Sequence, residues 1–143
     1  MHRLFSLPLV GLGVALAWAS PARAEDPWPV VAETGTIEIV TRDEDGALRE
    51  THVWIVVVEQ AGYVRTNDSR WLANIRRGSP VALRAEGADL PVRAEERSDT
   101  AEYDRVEAAF KAKYGWLQRL MSTFRTTRPT VLRLTPLHGE GAT

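Results

Sequence analysis

Cysteine is absent from this 143-residue chain, which excludes disulfides, thiolate nucleophiles, cysteine-bound zinc and iron–sulfur clusters. Histidine is scarce: His2, His52 and His138 are the only three. No G-x-S-x-G, P-loop or G-x-G-x-x-G sequence occurs, so a hydrolase elbow, a phosphate-cradling loop and a dinucleotide fingerprint are excluded. Nowhere do about 20 apolar residues run together, the length a membrane span needs. Excess charge of one sign is lacking as well. With 18 basic and 19 acidic residues the net charge is −1, which gives no electrostatic reason to expect nucleic acid as a partner. Internal repeats and low-complexity segments are missing too.

What is present begins with a leader. His2 and Arg3 precede an apolar run of 16 residues, Leu4–Ala19, and Ser20-Pro21-Ala22-Arg23-Ala24 closes it with a small-x-small pattern. Residues 1–24 read as a secretory signal peptide cleaved between Ala24 and Glu25. The run is too short for a stable membrane anchor, and no cysteine follows it to carry a lipid. The expected location is the periplasm or the cell exterior. Losing Arg3 and Arg23 leaves 119 residues with 16 basic against 19 acidic, a net charge of −3. That length makes one domain with one core. The expected organisation is an extended lead-in over 25–34 with Trp28 available to dock, a folded domain over 35–137, and a disordered tail over 138–143.

Within the domain, Ile37 and Ile39 alternate with Glu38 as in a half-buried strand. Asp43-Glu44-Asp45-Gly46 predicts a turn with an acidic tip, Gly46 supplying positive φ. The run Thr51–Glu59, T-H-V-W-I-V-V-V-E, predicts a single strand, buried on both faces or central in a barrel. Gln60-Ala61-Gly62 predicts a turn into Tyr63–Thr66. Ser69, in Asn67-Asp68-Ser69, predicts a helix N-cap, with Trp71, Leu72 and Ile75 apolar before Gly78 stops the helix. Val81–Glu86 and Leu90–Glu96 form a hairpin around Gly87. Ser98 or Asp99 caps a helix with Tyr103, Val106, Phe110 and Tyr114 at helical spacing. After Gly115 a short helix carries Trp116, Met121 and Phe124, read with Tyr114 as core or dimer interface. Thr130–Pro136 is the last strand. The order β-β-β-α-β-β-α-(α)-β gives a mainly β domain, a six-stranded antiparallel barrel with flanking helices.

Four stretches together resemble a known family. They are V-W-I-V-V-V-E-Q-A-G-Y-V-R-T, S-R-W-L-A-N-I-R-R-G-S-P-V-A-L-R, Y-D-R-V-E-A-A-F-K-A-K-Y-G and V-L-R-L-T-P. They resemble the bacterial domain of unknown function 2255, and K-A-K-Y-G, Lys111–Gly115, is the most distinctive part. That family is similar to the flavin and deazaflavin split-barrel superfamily, the fold of pyridoxamine-phosphate oxidase. The resemblance implies a split β-barrel, a homodimer, and FMN or deazaflavin held at the strand–turn–helix corner. By position it implicates Arg65, Thr66, Ser69, Arg70, Trp71 and Asn74. The chain departs from the deazaflavin-dependent pattern in one place. A basic turn between the first two strands is replaced by Asp43-Glu44-Asp45-Gly46, which would repel a polyanionic tail.

Several residues could carry chemistry. Arg65, Thr66, Ser69 and Arg70 combine guanidinium forks with a helix start, a pattern suited to phosphate. Arg76 and Arg77 read as partners of the helix dipole. Trp54 and Trp71 could stack on a flat ring or fill the core. His52 is a lone candidate for haem. No nucleophile with an evident base is visible. The expected function is an exported flavin-type cofactor-binding protein acting as an oxidoreductase, whose cofactor does the chemistry. The alternative is a non-catalytic periplasmic binding module on the same barrel.

Overall fold

Among the described residues seven strands form where the sequence pattern predicts six, because the long apolar run breaks in the middle. A computed structural model describes residues 26–122 and 128–137, apart from the side chains at 116 and 118–122. The expected signal peptide, Phe124, His138 and the expected tail lie outside the described residues, as do the side chains of Trp116 and Met121. The elements are α1 (Trp28–Glu33), β1 (Ile37–Arg42), β2 (Leu48–Val53), β3 (Val56–Val58), β4 (Ala61–Thr66), α2 (Arg70–Arg76), β5 (Val81–Ala85), β6 (Ala88–Arg97), α3 (Thr100–Ser122) and β7 (Thr130–Pro136).

Every strand pairing is antiparallel, and the order across the sheet is β2-β1-β5-β6-β7-β4-β3. β2 and β3 thus lie at opposite edges, yet only Trp54 and Ile55 separate them in the chain. Two residues reach less than about 10 Å, so the sheet must curl until its edges meet. Thr51–Glu59 is therefore not one central strand. It is the seam of a split barrel, and its apolarity reflects burial on both sides of that seam. The hairpin between β3 and β4 turns at Glu59 and Gln60, both at positive φ (48° and 68°), and not at 60–62.

Side chains alternate across the curled sheet. Ile37, Ile39, Leu83, Val92, Leu132, Leu134 and Val64 fill the inside, joined by Ile55 and by Trp71 and Leu72 of α2. On the outer face, Val56, Ala61, Tyr63 and Val131 meet Val106 and Phe110 of α3. The lead-in is helical where an extended segment is expected. Pro29 suits a first helical turn, and Trp28 and Val31 are buried in the interior cluster. Asp99, and not Ser98, caps α3 by accepting from the Glu102 N–H at 2.8 Å. Gly115, at φ 52° and ψ −124°, breaks that helix where the sequence pattern places a break.

The K-A-K-Y-G segment closes the seam. The Tyr114 hydroxyl accepts from the Ile55 N–H at 3.0 Å and lies 2.8 Å from the Gly35 carbonyl. Lys113 Nζ donates to the Ile55 carbonyl at 2.7 Å. These side chains do for Ile55 what a neighbouring strand does elsewhere. Tyr114→Phe would leave the fully buried Ile55 N–H without its partner, at a cost of about 1–3 kcal/mol. Urea denaturation checks this, and a change below about 0.5 kcal/mol would remove the seam role. Among the described residues, no helix is long and apolar enough to cross a membrane.

Candidate ligand-binding site

The corner between the β1–β2 turn and α2 is the natural place to look. The turn bonds tightly within itself: Asp43 N–H donates to the Ala47 carbonyl at 2.9 Å, and Ala47 N–H to Asp45 Oδ1 at 2.9 Å. Ser69 caps α2, its Oγ accepting from the Leu72 N–H at 3.2 Å. Gly78, at φ 91°, ends the helix. Between turn and helix lies an open groove of ≈ 440 Å³ lined by Asp43, Glu44, Asp45, Arg70, Asn74 and Arg77.

Asn74 is the floor. Though 2 % exposed, its amide is fully used: Nδ2 donates to Thr41 Oγ1 at 3.0 Å and Asp43 Oδ1 at 2.9 Å, and Oδ1 accepts from Arg77. Asp43 also takes a bidentate pair from Arg49 at 2.7 and 3.0 Å. The Arg49 hydrogen bond and then the Asn74 amide hold the Asp43 carboxyl down at about 2. Glu44, mostly exposed, lies 3.7 Å from Arg77.

The residues that the sequence pattern assigns to a cofactor do not converge here. Arg65 sits on the other face, its side chain 4 % exposed, 2.5 Å from Glu107 Oε1 and 4.0 Å above the Phe110 ring. Strand alternation puts it with Tyr63 against α3, away from Arg70. Thr66 donates to its neighbour Asn67 at 2.8 Å. Trp71 is core. Trp54 is stacked on Tyr114, ring centroids 4.4 Å apart and 6° from parallel. Only Ser69, Arg70 and Asn74 of the expected set stand at the corner. Arg77, the C-cap of the same helix, joins them. His52 is exposed on the outer face of β2, 3.5 Å from Glu38. No group of three His, Cys, Asp or Glu able to hold a metal occurs among the described residues.

The donor set decides what fits. Three carboxylates oppose two guanidiniums at the corner, so a polyanionic tail does not fit there. A single phosphate would find Arg70 and Arg77 and meet Asp43 beside them.

A second polar groove lies across the sheet, at the start of α3. Tyr63 donates to the buried Glu102 Oε2 at 2.7 Å, and Arg97 Nε to Oε1 at 2.6 Å. Arg133 reaches Glu95 at 3.2 Å and Glu102 at 3.6 Å. Burial, and then the Glu102 contact, push the Tyr63 hydroxyl up to about 12. These residues come from four separate elements and carry no local sequence signature.

A family model described as an uncharacterized protein conserved in bacteria, DUF2255, matches residues 29–134. No curated protein matches the chain. Among solved structures, the heme storage protein HutZ from Vibrio cholerae superposes with a TM-score of 0.62 at 17% identity, over 78% of this chain and 87% of that one. A heme-binding protein from Mycobacterium smegmatis gives 0.61 at 15% identity, over 84% of this chain and 59% of that one. An FAD-binding protein from Mesorhizobium loti gives 0.54 at 11% identity, over 77% and 86%. At such identities the likeness establishes the split-barrel fold.

Proposed function

We propose, from the premise that this chain belongs to the DUF2255 family of uncharacterized bacterial proteins, that it is an exported, non-catalytic binding module. It takes a small polar ligand at the corner groove. One observation carries this: most of the groups expected to hold a flavin are already engaged by the protein itself. Arg65 is committed to Glu107 and Phe110, Trp54 to Tyr114, and Trp71 to the core. The groove keeps both signs of charge, Arg70 and Arg77 against Glu44 and Asp45, and so suits a ligand that also bears both. Its ≈ 440 Å³ falls within the range of small-molecule sites. Export rests on the N-terminal leader pattern, Met1 to Ala24.

A second reading keeps a flavin-type cofactor, FMN or deazaflavin, and an oxidoreductase role. It is favoured by the FAD-binding structural neighbour and by the two guanidiniums at the groove. In it Arg70 and Arg77 hold the phosphate, a second copy of the chain completes the pocket as a homodimer, and the cofactor supplies the hydride chemistry. The heme-binding neighbours add haem as a third ligand to test.

Absorbance spectroscopy on the purified protein separates these readings. With FMN, deazaflavin or haem added, no chromophore is expected to bind tighter than about 100 µM, or some 5.5 kcal/mol. Free amino acids, used as zwitterionic probes, should shift the Asn74 amide resonances and lose that effect in Arg77→Glu. A bound flavin released by Arg70→Glu would overturn the binding-module reading and put the oxidoreductase in its place. Light scattering reports the dimer separately.

A further inference from the structure

The groove at the start of α3 is lined by Tyr63, Arg97, Glu102, Arg105, Arg133 and Thr135, encloses ≈ 320 Å³, and is distinct from the corner. Its wall is an ion cluster drawn from β4, β6, β7 and α3. The buried acceptor there is engaged. Glu102, its side chain 7 % exposed, has Oε1 occupied by Arg97 and Oε2 by Tyr63. Glu95 serves Arg133 at 3.2 Å and Arg97 at 3.8 Å. Asp99 is spent capping α3.

The donors are not consumed. Arg133 Nε has no hydrogen-bond partner among the described residues and is sealed from the groove, while the rest of the side chain, about a third exposed, turns its Nη atoms to Glu95 and Glu102 along the groove wall. A buried donor left unmade costs about 1–3 kcal/mol, and natural proteins rarely leave one without reason. Arg105 is exposed on the first turns of α3 and has no carboxylate within ion-pair distance among the described residues. Thr135 lines the same wall. The helix start adds its own partial positive charge. Glu59, the remaining acidic residue of the rim, stands at the exposed tip of the β3–β4 turn, where solvent screens it.

That rim carries a second mark. Glu59 and Gln60 both hold positive φ, which in a two-residue hairpin turn usually calls for Asn-Gly. Non-glycine residues held so are strained, on the order of 1 kcal/mol each, and such strain gathers at ligand clamps.

From the groove itself, the exposed Arg105 with no carboxylate partner among the described residues and the part-exposed Arg133 guanidinium on the same wall, we infer that this groove binds a small oxyanion, a carboxylate or a phosphate group. Arg133 and Arg105 receive it, and Thr135 donates to its edge. Glu102 does not bind the anion; it orients Arg97 and Tyr63 and keeps the wall neutral before the ligand arrives.

The Arg133 Nε–H resonance gives a direct readout by NMR. Inorganic phosphate and succinate are titrated separately into the purified protein, with chloride balancing ionic strength. One or both should shift that resonance saturably. A response to phosphate alone assigns a phosphate-bearing ligand, and a response to succinate alone a carboxylate. Arg105→Gln, at an exposed position, should weaken the effect at least tenfold, about 1.4 kcal/mol, while Arg70→Gln at the corner leaves it unchanged. No saturable shift with either anion up to about 10 mM overturns the inference. So does an undiminished shift in Arg105→Gln, or one abolished in Arg70→Gln. Loss in Arg70→Gln would place the anion at the corner instead; the other outcomes leave the corner reading as it stands.

Discussion

Replacing Trp28 by alanine should lower stability by about 3–5 kcal/mol, the usual cost of deleting a buried large aromatic side chain. The indole is 4 % exposed and packs into the interior cluster. Its ring lies directly on Gly62 of β4, where a Cβ would come within 2.6 Å of Cζ3 and 2.8 Å of Cη2. Glycine inside a strand weakens it, and here the close approach explains its presence. Gly62→Ala alone should therefore cost about 1–3 kcal/mol through overpacking. The two changes together should cost clearly less than their sum, because the alanine methyl then occupies space the indole has left. Chemical denaturation of the two single variants and the double variant measures this. Strict additivity would show that Trp28 and Gly62 do not share the contact, and a loss below about 1 kcal/mol for Trp28→Ala would remove α1 from the core. On the proposed cleavage before Glu25, only three residues would precede Trp28, so trimming a few more would strip the barrel of part of its interior.

Much of the frame was legible where one residue type has one physical use. Ser69 before an apolar face, Gly78 after it, Gly46 at the acidic turn and the Val106–Phe110 spacing all mark elements that the structure contains. The seam was not legible. In V-W-I-V-V-V, Trp54 is half-buried against Tyr114 and Ile55 is fully buried, so both are as apolar as a buried strand although no strand runs through them. The hairpin at Glu59–Gln60 was hidden for a different reason: neither residue is one that positive φ favours. Arg65 was misplaced by reading the corner as contiguous. Alternation along β4 puts Val64 inside and Arg65 outside beside Tyr63, so the strand period already carried the signal that separates Arg65 from Arg70. The Tyr63–Arg97–Glu102–Arg133 cluster joins residues up to 70 positions apart. Only the strand register β4–β7–β6 brings them together, and no local pattern announces that.

Glu102→Ala should cost a comparable 3–5 kcal/mol or so, because it strips a buried ion cluster of its central carboxylate. Arg97 would lose its 2.6 Å partner and the buried Tyr63 hydroxyl its 2.7 Å acceptor, while Arg133 would keep only Glu95. Glu102→Gln keeps the volume and an acceptor for Tyr63 and should cost less. The pH dependence distinguishes loss of charge from loss of packing. Burial alone would raise the Glu102 carboxyl, but the hydrogen bonds from Arg97 and Tyr63 together outweigh it and hold it below the usual range. A carboxyl whose folded value lies below its unfolded one contributes stability that is complete above the unfolded value, here near 4.5. That contribution disappears as pH falls through the folded value. Wild type should therefore lose stability progressively below about pH 5, and Glu102→Gln should lose less over the same window. Asp43, held at about 2 by Arg49 and Asn74 on the far side of the barrel, contributes an acid-side decline of its own that extends lower. That decline remains in both Glu102 variants and serves as an internal control. Should the wild-type and Glu102→Gln curves run parallel between pH 5 and pH 3, the cluster would hold α3 by shape alone. Its guanidiniums would then have no need of the charge at its centre.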